Sequence, residues 1–306
     1  MSSEPIQRIA IVGFGEAGGI LGNDLAARGL DVSTFDILFH SQQAREAMLA
    51  KAREAKVRAT EGLSDCVRGA ELVISAVTAS SALDVAKETS SLLLAGQSFL
   101  DINSVSPGTK RKMAEHFENS GAHFVEAAVM AAVPPQRLKV PMLLGGRTAA
   151  ELAKRLSSIG MIGSVASDRI GVASAIKMCR SVVIKGLEAL AVESMFAARR
   201  YGAEDAVLAS LAATFPEMGW NGKLPDYLIS RVAEHGKRRA AEMREAAQAL
   251  RDVGIDPLMA EATAERQDAL VKEIAGQHTG SRAGKPFSWR ELAYALDNAS
   301  KSSTKT

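Results

Sequence analysis

The stretch RIAIVGFGEAGGILGNDLAARGLDVSTFD runs from Arg8 to Asp36 and decides how the rest of the chain is read. Ile9, Ala10, Ile11 and Val12 form a short apolar run rich in β-branched residues, the composition of a strand buried on both faces. Ile20, Leu21, Leu25 and Ala26 then recur at helical spacing, and Gly29 follows as a helix stop. Val32 to Phe35 repeats the strand pattern and ends at Asp36. This is one βαβ unit, and the loop between its first strand and its helix reads Gly13-Phe14-Gly15-Glu16-Ala17-Gly18. Gly13 suits a tight turn, Gly15 keeps side chains away from an approaching pyrophosphate, and Gly18 lets helix and strand pack closely. The helix start offers unpaired N–H groups and a partial positive charge, so the backbone of Phe14, Glu16 and Ala17 belongs to the same anion cradle. Asp36 lies 23 residues after Gly13, where a carboxylate meets the ribose hydroxyls of an adenosine. A carboxylate there repels a 2′-phosphate, and neither Arg nor Lys occurs between Asp36 and Gln43, so NAD is expected over NADP. The competing reading is a glycine-rich turn in an unrelated α/β protein. Strand, helix, second strand and terminal acid in register favour the dinucleotide site.

The chain has 306 residues, room for two domains, and is 47% apolar, enough for a sizeable core. Its net charge of +2, with no large block of one sign, argues against nucleic acid or a membrane surface as the main partner. Cys66 and Cys179 lie far apart and lack metal-ligand spacing, so no metal site is expected. MSSEPIQR has no apolar signal core, and no apolar stretch approaches membrane length. A reduced, cytoplasmic setting is therefore the expectation.

Up to about residue 168 the chain alternates strands and helices. Strand patterns recur at 71–77, 98–103, 122–129, 140–146 and 163–167, with helical stretches at 41–54, 80–94, 107–119 and 148–158 between them. The expected fold class is α/β, with residues 1–168 forming a Rossmann-like doubly wound parallel sheet that binds a dinucleotide. Beyond it strand signals almost vanish. Residues 172–200 read as one long helix, followed by helices at 203–213, 225–252, 256–275 and 288–298. The spacing thus predicts an all-helical C-terminal domain over 169–300, joined by the long helix, and a frayed tail at 301–306.

In open parallel sheets ligands bind beyond the carboxyl ends of the strands. Those ends offer Val77 and Thr78, then Asn103 and Ser104, then Met130, Ala131 and Ala132. Thr78, Asn103 and Ser104 can hydrogen-bond the nicotinamide half of a cofactor, or simply cap helices. Ser106-Pro107 already looks like a cap with proline at the first helical position, which leaves Ser104 freer for a ligand.

Lys177 is the sharpest residue of the second half. It lies in the first turns of the 172–200 helix among Ala173, Ala175, Ile176 and Met178, with Ser181 one turn on along the same face. Apolar neighbours strip water from a lysine and favour its neutral form, which suits proton exchange with an alcohol oxygen. The alternative is a surface lysine that lays its stem over those neighbours. On the 225–252 helix, Leu228, Val232, His235, Arg239, Met243, Ala246 and Leu250 form a stripe that His235 and Arg239 interrupt. A charge on such a face needs a partner, either an anionic substrate or an internal acid.

Taken together, these motifs resemble the β-hydroxyacid dehydrogenase superfamily, which includes 3-hydroxyisobutyrate and 6-phosphogluconate dehydrogenases and has imine reductases as relatives. The likeness is greatest to its 6-phosphogluconate-dehydrogenase-like NAD-binding branch and covers nearly the full length. VGFGEAGG is similar to the family's cofactor fingerprint, and DINSVSPGTK (101–110) to its cofactor-touching turn. FVEAAVMAAVP (124–134) stands where the family has its substrate-binding segment, and GVASAIKMCRS (171–181) where it has a catalytic lysine. The resemblance thus implies that Lys177 is the acid/base. It also marks departures. The family's Ser-Gly-Gly is Met130-Ala131-Ala132, where backbone N–H groups remain to hold a carboxylate. The family's asparagine after the lysine is Ser181, and its late Lys-Asp pair reads Ala241-Glu242.

The resulting expectation is an NAD-dependent oxidoreductase that moves a hydride between nicotinamide and the hydroxyl-bearing carbon of a small hydroxy acid. Lys177 is the acid/base, Ser181 helps to place the substrate, and His235 and Arg239 contact its anionic group. An imine reductase of the same architecture and a non-catalytic NAD-binding sensor are the rival readings. A homodimer through the helical domain is expected from the small residues along the long helix.

Overall fold

A computed structural model describes residues 5–275 and 286–303. The chain divides into two compact units, residues 1–177 and 178–306.

The first unit is built on one eight-stranded sheet. Its elements run β1 (Arg8–Val12), α1 (Glu16–Ala27), β2 (Asp31–Phe35), α2 (Arg45–Glu54), β3 (Arg58–Ala59), α3 (Leu63–Val67), β4 (Leu72–Ser75), α4 (Ala82–Ser90) and β5 (Ser98–Asp101). They continue with α5 (Pro107–Glu115), β6 (His123–Val129), the single-turn α6 (Val133–Gln136), β7 (Met142–Gly145), α7 (Ala149–Ser158) and β8 (Gly163–Ser167). Strand order is β3-β2-β1-β4-β5-β6-β7-β8. The first six strands are mutually parallel, as the apolar runs and intervening helices require. The expected doubly wound parallel sheet is present, with one reversal beyond the six strands: β7 runs antiparallel to β6, and β8 runs parallel to β7. The physical reason lies in the link. Parallel neighbours need a long crossover, usually a helix, and the link between β6 and β7 holds only the single turn of α6 and a 3-10 turn over Arg137–Lys139.

Both faces of this sheet are covered. Ile9, Ile11, Leu72, Ile74, Leu100 and Val125 pack into one apolar layer with Leu21 and Leu25 of α1 and Leu152 and Leu156 of α7. Ala10, Val12, Val73, Phe99 and Phe124 pack into the other with Ala82, Ala86 and Met113. The chain moves outward from β1 through β2 to β3, then returns to the far side of β1 for β4. That reversal opens a crevice at the carboxyl ends of β1 and β4, the place where such sheets take ligands.

Helix α8 (Val172–Arg200) begins in the first unit and continues through the second. The second unit adds α9 (Glu204–Thr214), α10 (Leu224–Arg251), α11 (Leu258–Ala275) and α12 (Trp289–Ser303). Its largest apolar cluster gathers Val192, Met195, Trp220, Ile229, Val232, Leu270, Trp289 and Leu296. Gly236 allows close approach of α10 and α11, since a Cβ there would lie 2.6 Å from Val271 Cγ2 and 3.2 Å from the Gln267 carbonyl oxygen. The backbone of residues 301–303 is helical, in contrast to the frayed tail expected there; 304–306 lie outside the described residues. No helix among the described residues is long and apolar enough to cross a membrane.

Candidate functional site

The glycine turn sits at the crevice. Gly13 has φ +93°, and a Cβ there would lie 2.5 Å from the Ala76 carbonyl oxygen, so the turn abuts the end of β4 with no room for a side chain. A Cβ on Gly18 would lie 1.9 Å from the Gly13 carbonyl oxygen, so α1 closes directly onto the turn. Gly15 is the opposite case: it is exposed and a Cβ would have no atom within 4 Å. Gly15 therefore borders an open space at the N-terminus of α1, where the helix's unpaired N–H groups favour an anion.

Asp36 follows β2 and splits its carboxylate between two backbone donors. Oδ2 accepts from the Phe14 N–H at 2.6 Å and Oδ1 from the Leu38 N–H at 2.9 Å, the latter capping a turn over Ile37–His40. Each oxygen retains lone-pair capacity for a ribose hydroxyl. Phe14 itself is a correction. Its ring is fully buried and its N–H is committed to Asp36, so it shapes the turn and offers no donor of its own.

The second wall comes from the ends of β4 and β5. Thr78 is exposed, with its hydroxyl 3.1 Å from those of Ser80 and Ser81. Val77 contacts the turn through its side chain, while its N–H donates to Asn103 Oδ1 at 2.8 Å. Asn103 is buried, and its amide also donates to Ser75 Oγ at 2.9 Å and to Asp101. Both N–H groups of that amide are thus spent inside the protein. Asn103 ties strand ends together and is not a direct cofactor donor, and the Val77 N–H is unavailable for the same reason. Beneath them Lys110 forms a fully buried ion pair with Asp101 and donates to the Asp101 carbonyl oxygen at 3.0 Å, so the strand end is held by charge as well as by the sheet.

Ser104, one residue on, is half-buried and accepts a hydrogen bond from the Lys177 ammonium. The residue that aims Lys177 is one the motif reading left without a role. Glu126, on β6, is fully buried. Its Oε1 accepts the N–H groups of Gly171 at 2.6 Å and Ala173 at 3.2 Å, and its Oε2 accepts the Ser174 hydroxyl at 2.7 Å. A carboxylate at a helix N-terminus satisfies orphan donors and opposes the helix dipole favourably. Gly145, opposite Glu126 in the ladder, makes this possible: a Cβ there would lie 2.5 Å from Glu126 Oε1. The signal was present in the sequence, as a lone acid in an apolar strand that burial obliges to find partners.

At the end of β6, Ala131 and Ala132 are exposed. The Met130 N–H is not free to hold a carboxylate, because it donates to the Pro141 carbonyl oxygen at 2.9 Å. The antiparallel return of β7 brings Pro141 to that position.

The second unit has a polar cluster of its own. Arg239 of α10 grips Glu188 of α8 with both arms of its guanidinium; the Nε–Oε2 distance is 2.6 Å. Burial raises the Glu188 carboxyl above the usual range, against the lowering effect of Arg239. Arg239 therefore has the internal acid that one of its two readings requires. His235 and Arg239 flank the buried face of α10, whose core positions are Val232, Gly236, Ala240 and Met243. The two polar residues each stand one position before a small buried residue, while Leu228, Val232, Met243 and Ala246 of the same stripe are buried. His235 stands 3.8 Å from Glu234, and burial together with Arg231 and Arg238 depresses its pKa. Ser181 is buried and accepts from Lys185 at 3.1 Å, and Lys185 also pairs with Glu242 at 2.8 Å. Lys185 went unremarked in the sequence, although it continues the Lys177, Ser181 face at helical spacing.

Comparison with known proteins agrees with this geometry. Residues 8–163 match the NAD binding domain of 6-phosphogluconate dehydrogenase, and residues 198–270 match a domain of unknown function, DUF1932. The chain is 30% identical over 259 residues to an uncharacterized 28.5 kDa protein encoded in the 7S RNA 5′ region of Methanothermus fervidus, covering 84% of this chain and 96% of that one. It is 34% identical to a conserved hypothetical protein from Sinorhizobium meliloti 1021, with a TM-score of 0.81 and 97% of each chain covered. A Mycobacterium tuberculosis 3-hydroxyisobutyrate dehydrogenase, solved with L-serine, shares the fold at a TM-score of 0.73 and 14% identity, covering 96% of this chain and 99% of that one.

Proposed function

The chain belongs to the family of the 6-phosphogluconate dehydrogenase NAD-binding domain, and from that premise we propose that it is an NAD-dependent dehydrogenase of a small hydroxy acid. NAD supplies the hydride acceptor when bound. Gly15, Glu16 and Ala17 face its pyrophosphate, Asp36 its adenosine ribose, and Thr78 and Ser104 the side of the crevice nearer the nicotinamide. The observation that carries the reading is the bond from Lys177 to Ser104 at the carboxyl end of β5. It directs an ammonium group toward the strand ends, where the reacting carbon of a substrate has to lie. During oxidation the neutral amine of Lys177 takes the proton from the substrate hydroxyl and becomes the ammonium, and during reduction the ammonium returns that proton to the oxygen. Ser104 holds the amine in place between turnovers. Glu126 keeps the first turn of α8 fixed, so the lysine does not have to be ordered for each reaction.

The test is a panel of small hydroxy acids with NAD, followed by NADH absorbance, on wild type and Lys177→Met. The variant is expected to bind NAD with unchanged affinity and to lose roughly 10²-fold or more in kcat. Turnover within a few-fold of wild type would reject Lys177 as the acid/base.

A further inference from the structure

Lys51 lies on α2, outside every motif that identifies the cofactor site, yet its amine reaches the glycine turn. Its Nζ donates to the Phe14 carbonyl oxygen at 2.8 Å and to the Gly15 carbonyl oxygen at 2.6 Å, and it stands 5.1 Å from the centre of the Phe14 ring. Gly19 is what admits it: a Cβ at that position would lie 2.5 Å from both Cε and Nζ of Lys51. This accounts for a glycine that the dinucleotide fingerprint does not require.

The described peptide bonds are all trans, so each carbonyl points opposite to the N–H of the next residue. Lys51 binds the carbonyls of Phe14 and Gly15. The N–H groups of Gly15 and Glu16 are thereby turned away from α2. Asp36 fixes the preceding peptide by accepting the Phe14 N–H, so the turn is clamped from both sides. A cation on the carbonyl end of a peptide also draws electron density from its N–H end, which strengthens that group as a donor to an anion. We infer that Lys51 is a positioning residue for the cofactor: it orients and polarises the Gly15 and Glu16 N–H groups toward the pyrophosphate, and Gly19 exists to let it do so. This rests on the glycine turn being the dinucleotide site and is independent of the hydroxy-acid reading.

Calorimetric titration of NAD, ADP-ribose and adenosine into wild type, Lys51→Met, Gly19→Ala and the double variant tests this. Lys51→Met removes the cation. Gly19→Ala keeps every charge, introduces a better helix former and evicts the amine by its new methyl group, so it serves even where Lys51→Met folds poorly. Each single variant is expected to weaken NAD and ADP-ribose by about five- to tenfold, the scale of one ordinary hydrogen bond, because the N–H donors remain but lose their orientation and polarisation. Adenosine, which lacks the pyrophosphate, should bind each variant as it binds wild type. The double variant should be no weaker than either single one, because both remove the same contact. Equal losses for adenosine and ADP-ribose, or additive losses in the double variant, would overturn the inference. So would single variants that bind ADP-ribose as wild type does. Wild type that binds neither NAD nor ADP-ribose would instead overturn the dinucleotide site itself.

Discussion

At the level of single residues the site depends on which backbone and side-chain donors are already committed. Asp36 illustrates this, since it supports the turn and is also the proposed ligand of the ribose. Asp36→Ala should weaken NAD by at least about tenfold, since a hydrogen bond to a charged group contributes about 1.5–3 kcal/mol. It should narrow the preference over NADP, because the carboxylate that repels a 2′-phosphate is gone. Titrating both cofactors into both proteins checks this, and wild type that prefers NADP would reject the role given to Asp36. In the sequence Ser104 and Asn103 are both polar residues after an apolar run, and only the Ser106-Pro107 cap favours Ser104 for a ligand. The fold separates them: Asn103 turns inward to Val77, Ser75 and Asp101, and Ser104 meets Lys177. Lys51 and Glu126 stayed illegible in their roles because their partners are 37 and 45 residues away along the chain. Composition and periodicity describe a residue's own element and carry no information about which loop it will reach.

Whole elements were more readable, because apolar periodicity is a property of the element itself. The runs at 98–103, 122–129 and 163–167 became β5, β6 and β8, and the long helix has the bounds its spacing implies. What periodicity lacks is direction and rotation. An apolar run suits either strand direction, so the antiparallel β7 was readable only from the short link before it. On α10 the stripe holds at Leu228, Val232, Met243 and Ala246, while between them the buried positions are Gly236 and Ala240, small residues that leave no apolar mark beside His235 and Arg239. That placement matters for Arg239. With its fork held by the buried Glu188, Arg239→Ala leaves an uncompensated carboxylate and should cost about 3–5 kcal/mol of stability while leaving KM unchanged. The sign of the pH dependence follows from burial. Glu188 already has a raised pKa in the folded protein, and loss of Arg239 raises it further. The folded state then holds a proton that the unfolded state has released, so stability is recovered as pH falls. The melting temperature of Arg239→Ala should accordingly trail wild type more at pH 8 than at pH 5. An unchanged melting temperature with a raised KM would return Arg239 to the substrate.

For the molecule as a whole, the division after Lys177 runs through α8 and not through a loop. Glu126 holds the start of this helix in the sheet unit, while Val192 and Met195 lie in the apolar cluster of the helical unit. A helix broken in its middle has to nucleate twice, and nucleation is the costly step. Melting of one unit should therefore carry the other with it. The chain supplies its own reporter, because Trp220 and Trp289 are its only tryptophans and both are buried in the helical unit. The NAD fingerprint lies wholly in the sheet unit. NAD at 100 times its Kd stabilises the state that binds it by about 2.7 kcal/mol. In a coupled chain the midpoint of tryptophan emission should rise with NAD by as much as the midpoint of the sheet's circular dichroism signal. NADP at the same concentration should raise both by less, since Asp36 disfavours it. A sheet midpoint that rises while the tryptophan midpoint stays still would show that α8 parts near Lys177 and that the two units melt as separate bodies. Lys177, the proposed acid/base, stands at that boundary, so the same measurement reports whether cofactor binding steadies the helix that carries it.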